Sequence, residues 1–405
     1  MPPSKRRLFD KIKAPAVDRA SDLLAILLRL GGPNAYRDLV NALWERQPVF
    51  SKFDIKLCVP SQVSPDPAER PLVERIFAAF QRAKLDQTKC DPVFLPSGSW
   101  KNVLDVSYAP LMESLEKNDI ERFHYFLANF GAWEQPTGIG ESWTFRKFEA
   151  SERKKRHFEQ WTMAQLLQWW ETFESNGRSL SALTLPRFGN QGGVLVDGHQ
   201  VLPFSVFSEF YGRLLAGFVA QERPVIGELG GGFGRLCHFL ARNFPGMTYV
   251  AFDLPECMCC ATYFLMMSFP EKRFLLYGEG ELTPESLSEY DFILRPSFEI
   301  TRLHDKSVDL FINENSLGIM PPSACKLFVK EICRSAKAFW HRNHEVRRNQ
   351  FDDGTTSLVN QEYPIDRDRF CEVMRYCDVA RLVGYDRSTT IKNDMYWYFF
   401  RRKDD

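Results

Sequence analysis

The segment Val225-Ile226-Gly227-Glu228-Leu229-Gly230-Gly231-Gly232-Phe233-Gly234-Arg235 constrains the fold of this chain more than any other. A short apolar strand reaches an acidic residue, crosses four glycines in five positions, and enters an amphipathic helix. Glycine there permits a sharp turn and lets a ligand lie against bare amides at a helix N-terminus. About twenty residues on, Tyr249-Val250-Ala251-Phe252-Asp253 reads as a second strand closing on a carboxylate, placed to take ribose hydroxyls. Strand, glycine loop, helix, strand and acid predict half of a nucleotide-binding α/β sheet.

Two nucleotide ligands compete for that loop. The dinucleotide fingerprint Gly-x-Gly-x-x-Gly needs a third glycine for close helix packing. Counted from Gly230 that position is Arg235, and counted from Gly232 it is Cys237. The spacing Glu228-x-Gly230-x-Gly232-x-Gly234 fits S-adenosyl-L-methionine instead, with the acid facing the methionine ammonium. Glu228 would repel a pyrophosphate. Taken singly, the loop is a tight turn and Asp253 a helix cap; their order and spacing together favour the cofactor.

Composition narrows the remaining classes. A chain of 405 residues has room for two domains, and its net charge of zero implies no nucleic acid. The 34 phenylalanines suggest aromatic-rich cores. Ten cysteines sit mostly inside apolar patterns. In Cys257-Met258-Cys259-Cys260, helical neighbours diverge by about 100°, so buried thiols are expected rather than a metal site. A reducing, cytoplasmic setting follows as the expectation. No apolar stretch nears the roughly 20 residues that span a bilayer. Lys5-Arg6-Arg7 lacks the apolar core of a secretory signal.

The first half, 1–184, reads as mainly helical. Helices are expected from Asp22 to Leu30, Pro71 to Lys84, Leu111 to Phe130 and Glu159 to Glu174. A connector, 185–223, carries a glycine-rich turn, a strand at 194–196 and a helix from Phe204 to Ala220. From 224 to 405, strands and helices alternate. Strands are expected at 225–229, 249–253, 273–277, 308–313, 338–341, 380–385 and 395–401. Helices are expected at 235–243, from Pro255 to before Pro270, at 323–337 and at 366–377. Two closing strands without a helix between them predict an antiparallel final pair. The predicted fold is α/β: a Rossmann-like doubly wound sheet with an antiparallel final strand, behind a helical region.

Glu228 through Leu236, Phe252-Asp253-Leu254-Pro255 and Asp309-Leu310-Phe311-Ile312-Asn313 resemble the sugar O-methyltransferase family, a branch of class I S-adenosylmethionine-dependent enzymes. Phe188-Gly189-Asn190 followed by Gly192 resembles its Gly-Asn-Pro-x-Gly element; Ser316, Met320 and Asn343 also match. The resemblance covers roughly 185–400. It implies a methyl donor held by Glu228, Gly230, Gly231, Gly232, Gly234, Arg235, Asp253, Leu254 and Asn313. Gln191 stands where the family has proline, and Ile319 where it has an acid.

Ends of strands four and five in such a sheet face the reacting centre. They offer Glu314, His341 and His344 as candidate bases, with Ser316 and Asn343 beside the acceptor. His304 is a weaker candidate. Arg187, Phe188 and Asn190 either line the acceptor pocket or form a connecting turn. No compact metal-ligand cluster is visible. The expected activity is methyl transfer to a hydroxyl of a sugar or glycosylated metabolite. The alternatives are another acceptor, or a binding protein without turnover. The helical region is a lid, a homo-oligomer interface or an independent core.

Overall fold

The computed structural model describes residues 53–58, 60–97, 99–133, 163–202, 204–378 and 394–404. The helix expected at Asp22–Leu30 and the strand at Ala380–Tyr385 lie outside them, as does the start of the one at Glu159–Glu174.

Eight strands form the central sheet, in the order β10-β11-β9-β8-β4-β5-β7-β6. They are β4 (Val225–Leu229), β5 (Thr248–Asp253), β6 (Phe274–Leu275), β7 (Phe292–Pro296), β8 (Val308–Glu314), β9 (Ala336–His344), β10 (Phe370–Cys377) and β11 (Met395–Arg402). β6 to β9 pair in parallel around β4 and β5. β11 runs antiparallel between β9 and β10. This is the doubly wound sheet with an antiparallel ending that the sequence predicts.

Alternation along each strand divides the core in two. Ile226, Tyr249, Ile312 and Trp340 face one side, while Val250, Phe252, Phe311 and Phe339 face the other. The first side packs against α5 (Ser205–Ala216), α6 (Arg235–Asn243) and α7 (Pro255–Ser268). The second packs against α9 (Pro322–Ser335) and the short α8 (Pro284–Glu289).

The helical region joins the first side. Its helices are α1 (Arg70–Gln87), α2 (Ser99–Ser107), α3 (Ala109–Glu116) and α4 (Ile120–Asn129). One apolar cluster runs from Phe53 through Phe80 and Phe126 to Phe399, crossing the boundaries drawn at 184 and 223. Polar ties reinforce it: Lys84 meets Glu256 at 2.7 Å, and Tyr263 donates to Glu69 at 2.7 Å. A small antiparallel sheet links β1 (Ile55–Cys58) to β2 (Gly193–Val196) and β3 (His199–Val201).

Four expectations differ from the structure. The helix expected at 366–377 is a strand over Phe370–Cys377. Phe370, Val373, Met374 and Cys377 mimic a helical repeat, yet pairing completes the exposed edge of β11, and tertiary demand prevails. Phe292–Pro296, unassigned in the sequence, inserts between β5 and a strand three only two residues long. The single helix expected over Leu111–Phe130 breaks at Asn118, whose φ is +51°, and restarts with Asp119 accepting from the Arg122 amide. β1 also went unassigned.

Among the described residues no helix is long and apolar enough to cross a membrane. None of their His, Cys, Asp and Glu side chains cluster to hold a metal ion.

Candidate active site

β4 ends in a loop whose shape only glycine allows. Gly230, Gly232 and Gly234 have φ of +75°, +60° and +88°. A Cβ on Gly230 would lie 2.4 Å from the Ser316 side chain, and one on Gly231 2.1 Å from a Glu228 carboxylate oxygen. The Gly230 amide donates to the Phe252 carbonyl (2.8 Å), and the Gly232 amide to Asp253 (3.1 Å). Asp253 also accepts from the Leu254 amide at 2.7 Å. Burial pushes the Asp253 carboxyl up to about 7, against those two amides.

Beneath the loop lies Glu228, 2% exposed, accepting a hydrogen bond from the Tyr249 hydroxyl. Burial pushes its carboxyl up to about 8, with the nearby Glu314 and Asp253 charges adding to the shift and Tyr249 opposing it. Arg235 opens α6 and donates to Ser208 at 2.8 Å, its guanidinium over the Phe204 ring.

The strand ends beside this cradle are locked by amides. Asn313 is fully buried; it donates to the Leu229 carbonyl (2.9 Å) and to the Ser316 hydroxyl. It accepts from Asn343 at 2.9 Å, and Asn343 in turn accepts from the Gly318 amide at 3.1 Å. Asn313, Ser316 and Asn343, expected to touch cofactor or acceptor, thus use their polar atoms to hold the β8 loop against β4. Asn313→Ala would orphan several buried partners at once, an expected loss of about 3 kcal/mol by urea unfolding.

Glu314 and the two histidines part company. His341 points to the α9 side, fully buried and stacked on Tyr398 and Phe400. Burial pulls its pKa down to about 3, so it is a neutral core residue with no path to an acceptor. His344, three positions on, pairs through Nδ1 with Asp394 at 3.0 Å. Asp394 also accepts from the Arg347 amide at 2.6 Å; burial opposes ionisation there, but that amide and His344 hold the carboxyl below its ordinary value. Glu314 lies at the lip on the Glu228 side. One oxygen accepts from Arg342 at 2.8 Å, and the other makes no hydrogen bond among the described residues.

The Gly-Asn element joins distant segments of the chain. The Asn190 amide donates to the Ser61 carbonyl (2.7 Å) and to Asn129 (3.0 Å), while a Cβ on Gly189 would strike the Phe130 ring at 2.2 Å. Arg187 is exposed and reaches the Cys58 sulfur; Phe188 packs on the core.

The sequence reading missed Tyr249, Arg342, Asp378 and Asp394. Strand alternation already places Arg342 on the His344 face. Asp378 and Asp394 come from distant chain and leave no local signal.

Residues 209–310 match the model of a family described as O-methyltransferase domain. No curated protein matches the chain. Solved structures with a similar arrangement include the mitomycin 7-O-methyltransferase MmcR, at 10% identity and a TM-score of 0.31. That alignment covers 49% of this chain and 55% of that one, so the chain spans little more than half of its relative's length. A SAM-dependent methyltransferase from Aquifex aeolicus aligns at 15% identity, covering 46% and 87% with a TM-score of 0.29. The N-terminal domain of EvdMO1, solved with SAH and D-fucose, aligns at 12%, covering 48% and 83% with a TM-score of 0.32. Likeness this distant bears on neither acceptor nor mechanism.

Proposed function

We propose that the chain is an S-adenosylmethionine-dependent O-methyltransferase acting on a hydroxyl of a sugar or glycosylated metabolite. The observation that carries this reading is the cradle of Glu228, the Cβ-free Gly230–Gly231 turn and Asp253 at adjoining strand ends, within the span matched by the O-methyltransferase domain. A buried acid beneath a turn free of side chains suits a nucleoside bearing an ammonium, and it does not suit a phosphate.

When bound, the cofactor supplies an electrophilic methyl group on a sulfonium. The Asp253 carboxylate is placed for the ribose hydroxyls, and the acidic pair Glu228 and Glu314 for the ammonium. His344 is the general base: Asp394 on Nδ1 fixes the ring and stabilises the imidazolium formed when Nε2 takes the hydroxyl proton. Glu314, held in place by Arg342, is an anchor for positive charge. The resemblance of 185–400 to sugar O-methyltransferases supports the acceptor class.

Titration calorimetry with S-adenosylhomocysteine tests the cofactor, and labelled methyl transfer to a carbohydrate panel tests the acceptor. His344→Ala is expected to slow transfer about a hundredfold while the product affinity holds. Intact, folded protein that gives no heat with millimolar ligand would defeat the reading.

A further inference from the structure

Behind Glu314 stands a chain of buried groups that the methyl-transfer chemistry does not itself use. Arg342, 8% exposed at its side chain, joins Glu314 to Asp378, which is fully buried just after β10. The Arg342 Nε donates to Asp378 at 2.6 Å, and a terminal nitrogen of the same guanidinium meets the same carboxylate. Tyr211 of α5 donates its hydroxyl to the other Asp378 oxygen, and its ring lies 5.8 Å from the guanidinium carbon. Three elements distant in sequence converge on one arginine: α5, the β10 end and the β8 end.

A fully buried carboxylate and a buried guanidinium are costly unless each satisfies the other. Here Asp378 takes two nitrogens of the Arg342 guanidinium, and the third donates to Glu314. Glu314 is the diagonal neighbour of Glu228, whose strand partner is Ile312.

Resting on the proposed function, we infer that Tyr211, Asp378 and Arg342 are positioning residues that aim the Glu314 oxygen not held by Arg342 at the ammonium of the cofactor's amino-acid arm. They act on one end of the ligand only. Where outer partners orient the ligands of a metal ion, their loss changes affinity by about 10- to 100-fold, which sets the scale expected here.

The experiment compares two ligands on the full chain by calorimetry: S-adenosylhomocysteine, which carries the ammonium, and 5′-methylthioadenosine, which lacks it. Tyr211→Phe and Asp378→Asn are each expected to weaken the first about tenfold and leave the second unchanged. In a Glu314→Gln background neither should weaken it further. Equal losses for both ligands would mean a merely structural network and overturn the inference, as would no loss for either. Should Asp378→Asn not fold, Tyr211→Phe removes a single hydroxyl and decides alone. Wild-type protein that binds neither ligand defeats the function itself; wild-type binding with indifferent variants defeats only this inference.

Discussion

Gly230→Val should lower affinity for S-adenosylhomocysteine by about a thousandfold, from strain and overpacking of roughly 4 kcal/mol. Two independent obstacles add. The residue sits at φ +75°, which a β-branched side chain resists, and its Cβ would stand 2.4 Å from the Ser316 side chain. Ser316 cannot retreat, because its hydroxyl donates to the Leu229 carbonyl at 3.0 Å and accepts from Asn313. The loop must therefore rebuild, and the ligand loses the surface that the Cβ-free turn would offer. The rest of the sheet does not depend on that shape, so circular dichroism should stay native while calorimetry loses its signal. Retained binding would show that the ligand does not use this turn.

The cradle was legible because its requirements are local. A glycine at positive φ, an acid at a strand end and a proline opening α7 each leave a mark at one position, and β4, α6 and the start of α7 fall where the sequence places them. What was illegible depends on partners far along the chain. β10 carries a helical repeat and becomes a strand only because β11 needs a neighbour. His341 and His344 look equivalent in sequence; strand alternation sends one into an aromatic stack and the other to Asp394, fifty positions away. Asn313, Ser316 and Asn343 were marked by resemblance, but resemblance cannot separate residues that touch a ligand from residues that hold the wall. In the structure their polar atoms bond to one another and to the Leu229 carbonyl.

The second large effect is a dependence on pH written into Glu228. Its carboxyl titrates near 8 in the free protein, against an ordinary value near 4.5, because burial penalises the charge. The folded state then holds a proton that the unfolded chain has already released, so stability falls as pH rises between those values. The slope approaches about 1.4 kcal/mol per pH unit, a total on the order of 5 kcal/mol. Asp253 contributes in the same direction with its midpoint near 7, so from pH 7 to 8 Glu228 carries the larger share of the slope. Glu228→Gln keeps an acceptor for the Tyr249 hydroxyl and should flatten the melting temperature across that interval. Ligand binding reverses the sign. An ammonium beside Glu228 favours its ionised form, so affinity should rise by up to about tenfold per unit below pH 8, with a proton released to buffer. Calorimetry in buffers of different ionisation enthalpy counts that proton. If wild type and Glu228→Gln show the same slope, the buried acid does not meet the ligand's charge, and the cradle holds something other than an amino-acid-bearing nucleoside.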